Sequence, residues 1–115
     1  MTDMSLSVQA LDGVYGRPAV GVRARLEQPV DGRWATIAVA ETDAEGSIGD
    51  FSAGTLGRGP YRVVFESDPY FSGLGVSAGY PEIGIVFRIR DRPHECRIQV
   101  LMTPHSYSMY FGGKA

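Results

Sequence analysis

A chain of 115 residues with 11 basic and 13 acidic side chains, formal charge -2, is sized for one domain, residues 1–115. It lacks the basic excess that a nucleic-acid-binding face requires. Its 43% hydrophobic content supports a real core, and the lone Cys96 excludes an internal disulfide and a cysteine-held metal.

Taken in chain order, the sequence breaks into short strand-type runs separated by turn signals. Met1 to Leu6 shows no basic start followed by an apolar run, and no apolar stretch nears the ~20 residues that span a bilayer. A cytoplasmic protein with no membrane partner is therefore expected. Ser5 to Leu11 alternates polar and apolar with the period of a half-buried strand. After turns at Asp12-Gly13 and Gly16-Arg17-Pro18, Val20 to Glu27 alternates again. Val20, Val22, Ala24 and Leu26 fall on one face, and Arg23, Arg25 and Glu27 on the other. Asp31-Gly32 signals a tight hairpin, because both residues tolerate positive φ, and Trp34 to Glu41 returns from it.

Thr42-Asp43-Ala44-Glu45-Gly46 reads as a polar turn before a short run through Ile48 and Phe51. Gly54 to Gly59 is glycine-rich but lacks the lysine and hydroxyl of a phosphate loop, so it reads as a mobile connection. Tyr61 to Glu66 is a β-branched and aromatic strand. Asp68-Pro69 has the form of a helix start, an N-cap acceptor followed by proline, with Gly73 and Gly75 ending the helix. The neighbouring carboxylates Glu66 and Asp68 read as a cap on a solvated face. Ile83 to Arg90, Cys96 to Met102 and Tyr107 to Phe111 complete an all-β pattern. It predicts an antiparallel β-sandwich of seven or eight strands with one short helix over Asp68–Gly75. Trp34, Tyr61, Tyr70 and Phe71 are expected as core or interface aromatics. Cys96 is expected as a structural thiol on a strand.

Several segments resemble the transthyretin and 5-hydroxyisourate hydrolase family. Ala10 to Ala19 is similar to its opening Leu-Asp strand and Gly-x-Pro-Ala turn, and Thr42 to Gly46 to its Thr-Asp-x-x-Gly turn. Gly59-Pro60-Tyr61-Arg62, Tyr70-Phe71 and Tyr80-Pro81-Glu82 leading into Ile85-Val86-Phe87 follow in family order. Thr103 to Gly113 resembles its closing strand, which in the hydrolases ends Tyr-Arg-Gly-Ser and here reads Tyr110-Phe111-Gly112-Gly113.

The resemblance implies a transthyretin-like homotetramer with ligand sites in a channel between subunits, lined by the first strand, the penultimate strand and the C-terminus. It also locates the departures. Gln9 and Arg97 occupy positions where hydrolases carry histidine, Ser47 one where they carry arginine, and Phe111 and Gly113 replace the Arg and Ser of the ending. Glutamine does not titrate and arginine does not release its proton, so neither replaces an imidazole base. His94 and His105 fall beside the motif positions and are expected on the surface or in loops.

A channel altered in this direction suits a small, largely apolar organic molecule, with no metal or cofactor. Gln9, Arg97, Tyr107 and Tyr110 are the candidate polarising, catalytic groups. Leu11, Ser47, Gln99, Leu101, Ser108, Phe111 and Gly113 are candidate substrate contacts. Three activities fit the resemblance: a shape-driven cyclase or cycloaddition enzyme of polyketide-type chemistry, a carrier of the transthyretin kind, and a genuine hydrolase with a rearranged site.

Overall fold

The computed structural model describes residues 5–51, 56–90 and 95–114. Among them run nine strands: β1 (Ser5–Asp12), β2 (Arg17–Pro18), β3 (Arg23–Val30), β4 (Arg33–Glu41), β5 (Ser47–Ile48), β6 (Gly59–Phe65), β7 (Ile83–Ile89), β8 (Glu95–Met102) and β9 (Tyr107–Lys114). One helix, α1 (Ser67–Gly73), follows β6. Seven strands are long, and β2 and β5 are two residues each. The predicted sandwich is thus present, with β2 added where only a turn was expected.

The strands form two sheets. One has the order β2-β1-β8-β9 with β5 also paired to β1, and the other the order β4-β3-β6-β7. Among the described residues six of the seven strand pairings are antiparallel, and the seventh, β1 with β8, runs parallel from Ser5↔Glu95 to Asp12↔Met102. A parallel pair needs a long crossover, and here the entire second sheet is threaded between the two strands.

Alternation along the strands sets the core. Leu6, Val8 and Ala10 of β1 and Cys96, Ile98, Val100 and Met102 of β8 point inward against Leu26, Val63, Phe65, Ile83 and Ile85 of the other sheet. Burial pushes the Cys96 thiol up to about 11, so it is an inert core group. Val20, expected on the apolar face of β3, precedes that strand and is exposed. Asp31 and Gly32 take positive φ of 52° and 77°, as the β3–β4 hairpin requires.

On the outer face of the second sheet, Glu27 is buried between Arg62 (2.6 Å) and Arg25 (3.0 Å), and Arg62 also lies over the Trp34 ring. Burial alone would raise the Glu27 carboxyl, but these two guanidiniums outweigh it and lower it. Glu66 joins the same network through Arg23 and Arg25. It is therefore an ion-pair partner and not one of two solvated caps. The helix also begins two residues earlier than the cap signal placed it: Glu66 is its N-cap with no side-chain cap bond, Asp68 lies in its first turn, and Pro69 is its third residue. The Asp68 N–H donates to the Pro81 carbonyl, which takes over part of the capping task.

Asp12 ties the helix to the first sheet. Fully buried, it accepts the backbone N–H groups of Val14 (2.8 Å) and Tyr15 (3.1 Å) and the phenol of Tyr70 (2.5 Å). Burial, then the bond to Asp12, raises the Tyr70 phenol to about 12. A group whose pKa is raised in the fold stabilises it below its unfolded value, and that contribution fades between about pH 10 and 12. Asp12→Ala strands two backbone donors and a phenol, and is expected to cost about 2–4 kcal/mol, against about 1 kcal/mol for Tyr70→Phe. Urea unfolding of both variants checks the order.

Candidate functional site

The outward-facing residues of the first sheet form three rungs across it, fixed by register. Leu11 lies opposite Leu101, and Leu101 opposite Ser108. Two residues along, Ser47 lies opposite Gln9, Gln9 opposite Gln99, and Gln99 opposite Tyr110. Two further, Ser7 lies opposite Arg97, and Arg97 opposite Gly112. Successive rungs are about 7 Å apart, twice the rise of a strand residue. An apolar rung, an amide rung and a cationic rung thus stand in sequence on one face.

The amide rung is held from beneath by the Thr42–Gly46 turn. The Thr42 hydroxyl donates to the Ala19 carbonyl (2.7 Å) and accepts the Val22 N–H (2.9 Å), pinning the turn to the β2–β3 connection. Asp43 accepts the N–H groups of Ser47 and Glu45, which lower its carboxyl. Gly46 takes φ of 75°, and its N–H donates to the Asp43 carbonyl while its carbonyl accepts the Ala10 N–H. The result brings the Glu45 carbonyl beside Gln9, whose Nε2 donates to it at 3.2 Å. Gln99 Nε2 in turn donates to Gln9 Oε1 at 2.6 Å.

Arg97 is exposed and, among the described residues, makes no ion pair or hydrogen bond. Tyr110 leans over Gly112: a Cβ built on Gly112 would lie 2.7 Å from two carbons of the phenol ring. The ring therefore reaches along β9 from the amide rung to the cationic one. Gly112→Ala is expected to swing this exposed ring outward while changing stability by less than about 1 kcal/mol. The ring-proton shifts of Tyr110 and a urea melt check the two halves of that expectation.

Of the residues anticipated from sequence, Gln9, Leu11, Ser47, Arg97, Gln99, Leu101, Ser108 and Tyr110 come together on this face. Tyr107, Phe111 and Gly113 do not. They lie opposite Met102, Ile98 and Cys96, on the core side of β9. Phe111 packs at 5.8 Å on Phe87 of the second sheet, and Tyr107 packs edge-on at 5.5 Å to Tyr80. The reason is the two-residue period: a strand that turns Ser108 and Tyr110 outward must turn Tyr107 and Phe111 the other way. A cavity wall built from both sets cannot come from a single face.

His105 sits in the β8–β9 turn, exposed and against Gly79, and the Tyr80 phenol clasps that turn through the Thr103 and Ser106 carbonyls. His94 and part of the Gly54–Gly59 segment lie outside the described residues. The rungs consequently carry a guanidinium, two amides, a phenol and hydroxyls, but no imidazole. Two contributors escaped sequence reasoning. The Glu45 backbone carbonyl leaves no residue-type signal, whereas the alternation that puts Gly112 on the face of Tyr110, opposite Arg97, is a signal that could have found it.

A hollow of about 480 Å³ lies between α1 and the β2–β3 connection, lined by Val20, Arg23, Glu41, Glu66, Tyr70 and Leu74. Its guanidinium is already neutralised by Glu66. No helix among the described residues is long and apolar enough to cross a membrane, and none of their His, Cys, Asp and Glu side chains cluster to hold a metal.

Comparison with known proteins agrees with this architecture. The chain is 33% identical over 108 residues to the 5-hydroxyisourate hydrolase of Salmonella typhimurium, spanning 93% of this chain and 79% of that protein. A probable 5-hydroxyisourate hydrolase of Caenorhabditis elegans is 34% identical over 111 residues, with 94% and 81% covered. Among solved structures, transthyretin from Sparus aurata superposes with a TM-score of 0.88 at 30% identity over 96% of this chain and 98% of that one. The 5-hydroxyisourate hydrolase of Klebsiella pneumoniae gives 0.82 at 31% identity over 97% and 99%. A sea bream transthyretin of 29% identity and TM-score 0.88, over 96% and 97%, was solved in complex with thyroxine. The model of the HIUase/Transthyretin family matches residues 6–112, and the chain belongs to that family.

Proposed function

We propose that this protein binds and orients a small, largely apolar organic molecule on the outer face of its five-stranded sheet, in a channel formed by a homotetramer, and promotes its ring closure. The observation that supports the reading is the three-rung face. Leu11 and Leu101 offer an apolar wall, Gln9 and Gln99 a fixed amide pair, and Arg97 an unneutralised cation opposite Gly112, over which the Tyr110 phenol leans. The flat face becomes a cavity once a second copy covers it.

Such a face has little capacity for proton abstraction and considerable capacity for orientation. Intramolecular cycloaddition suits it, because the reaction is an isomerisation in which two σ bonds replace two π bonds and no proton leaves. Holding diene and enone in a near-attack geometry removes much of the barrier. Arg97 and Tyr110 polarise the enone carbonyl, and Gln99 and Ser108 anchor hydroxyls on the guest. A hydrolytic reading is favoured by kinship, since relatives of 33% identity are named hydroxyisourate hydrolases. It lacks an imidazole on the described face.

The test incubates the protein with a linear decatrienone, diene and enone joined by a short tether, and follows product stereochemistry. Faster closure to one stereoisomer, weakened in Arg97→Ala, supports the enzyme. Tight binding with the trienone recovered unchanged overturns ring closure in favour of a carrier. A sedimentation mass of one chain at micromolar concentration overturns the channel.

A further inference from the structure

The amides of Gln9 and Gln99 are locked in one orientation, and the lock has a consequence for what the face accepts. A backbone carbonyl only accepts hydrogen bonds, so the end of Gln9 that meets the Glu45 carbonyl must be its Nε2 amino group. The Oε1 end is then the one that meets Gln99, and Gln99 must present Nε2 to it, as the 2.6 Å bond has it. Each orientation follows from the previous one, beginning at a main-chain atom that cannot reverse. The polarity of the whole rung is fixed by the Thr42–Gly46 turn.

Gln9 is engaged in this chain of bonds at both ends, through Nε2 and Oε1. Gln99 is left with its Oε1 directed away from Gln9 and without a partner among the described residues. Tyr110, the side chain opposite Gln99, leans toward Gly112. One rung further lies Arg97, whose guanidinium can only donate. The face therefore offers an acceptor and a cationic donor on side chains whose strand positions are about 7 Å apart.

We infer that Gln99 is the specificity-determining residue of this site and Gln9 its positioning residue, and that together with Arg97 they select a guest bearing a hydroxyl or N–H donor at one end and an anionic or carbonyl oxygen at the other. Extended hydroxyaryl carboxylates have this pattern. The inference rests on the ligand face proposed above. A guest whose hydroxyl is capped leaves Gln99 Oε1 dehydrated and unpaired, the costly half of a lost hydrogen bond.

The probes are 6-hydroxy-2-naphthoate and 6-methoxy-2-naphthoate, read by their intrinsic fluorescence with the native protein. The hydroxy compound is expected to bind roughly tenfold or more tightly than its methyl ether. Gln99→Leu is expected to abolish the difference. Gln9→Leu is expected to reduce it without removing it, because a released Gln99 amide can turn either end to the guest, whereas a merely structural Gln9 would leave the ratio unchanged. Arg97→Ala is expected to weaken both compounds and keep their ratio. Equal affinities in the native protein, or a ratio that survives Gln99→Leu, overturn the selection rule while leaving the ligand face standing. Failure of both naphthoates to bind at millimolar concentration removes the face and the inference together.

Discussion

Freshly generated 5-hydroxyisourate is expected to decay in the presence of this protein roughly two to four orders of magnitude more slowly than with a working hydrolase of the family, the span attributed to a general base. The expectation follows from the rungs of the first sheet. At the two positions where the hydrolases are expected to carry histidine stand Gln9, whose amide is spent on Glu45 and Gln99, and Arg97, which cannot accept a proton. Ser47, opposite Gln9, brings a hydroxyl where a guanidinium would orient an anionic ring. Ultraviolet absorbance of the substrate follows the reaction directly. A rate near that of the Klebsiella or Salmonella relatives would contradict the account, and His94→Ala and His105→Ala would then show whether either imidazole supplies the base.

Gly46→Ala is expected to be among the most damaging single-atom additions in the chain, costing about 2–4 kcal/mol. Gly46 holds φ of 75°, and an added Cβ would collide with the Ala10 carbonyl and lie 3.1 Å from Pro18 Cβ and 3.2 Å from the Ala19 nitrogen. None of these is the far end of a flexible side chain, so the turn itself must shift. Gly16 provides the control, with φ of 66° and open space around it. Gly16→Ala should cost only about 1–2 kcal/mol, the left-handed backbone alone. Urea midpoints separate the two. Because the Glu45 carbonyl hangs on the same turn, Gly46→Ala should also loosen the Gln9–Gln99 pair, visible as sharpened exchange of the Gln99 side-chain amide protons. Equal losses in the two variants would mean that close packing under Gly46 adds nothing.

Much of this architecture could be read from period two alone. Ser5 to Leu11, Ile83 to Arg90 and Cys96 to Met102 each alternate cleanly, because each strand has one dry face and one that is not. The Asp31-Gly32 hairpin was legible because positive φ restricts the residues that can sit there. The parallel sense of β1 and β8 was not, since a side-chain pattern reports which face is buried and says nothing of the neighbour's direction. The helix start was misplaced because Asp68-Pro69 imitates a cap, whereas Glu66, held by Arg23 and Arg25, caps the helix two residues earlier.

The site was legible in part for a related reason. Gln9, Arg97 and Gln99 followed from alternation once family position was assigned, and the rungs place them side by side. Tyr107 and Phe111 were grouped with Tyr110 by proximity in a motif, against the alternation that governs the rest of the strand. The amide lock was invisible in sequence, since it depends on a main-chain carbonyl delivered by a turn 36 residues away.

The most direct test of the ligand face is a crystal structure of the protein grown with 6-hydroxy-2-naphthoate. The account predicts the naphthalene between the outer faces of two copies, its carboxylate on Arg97 and its hydroxyl on Gln99 Oε1. Density for the naphthalene in the hollow lined by Val20, Tyr70 and Leu74, with the Arg97 face bare, would contradict it.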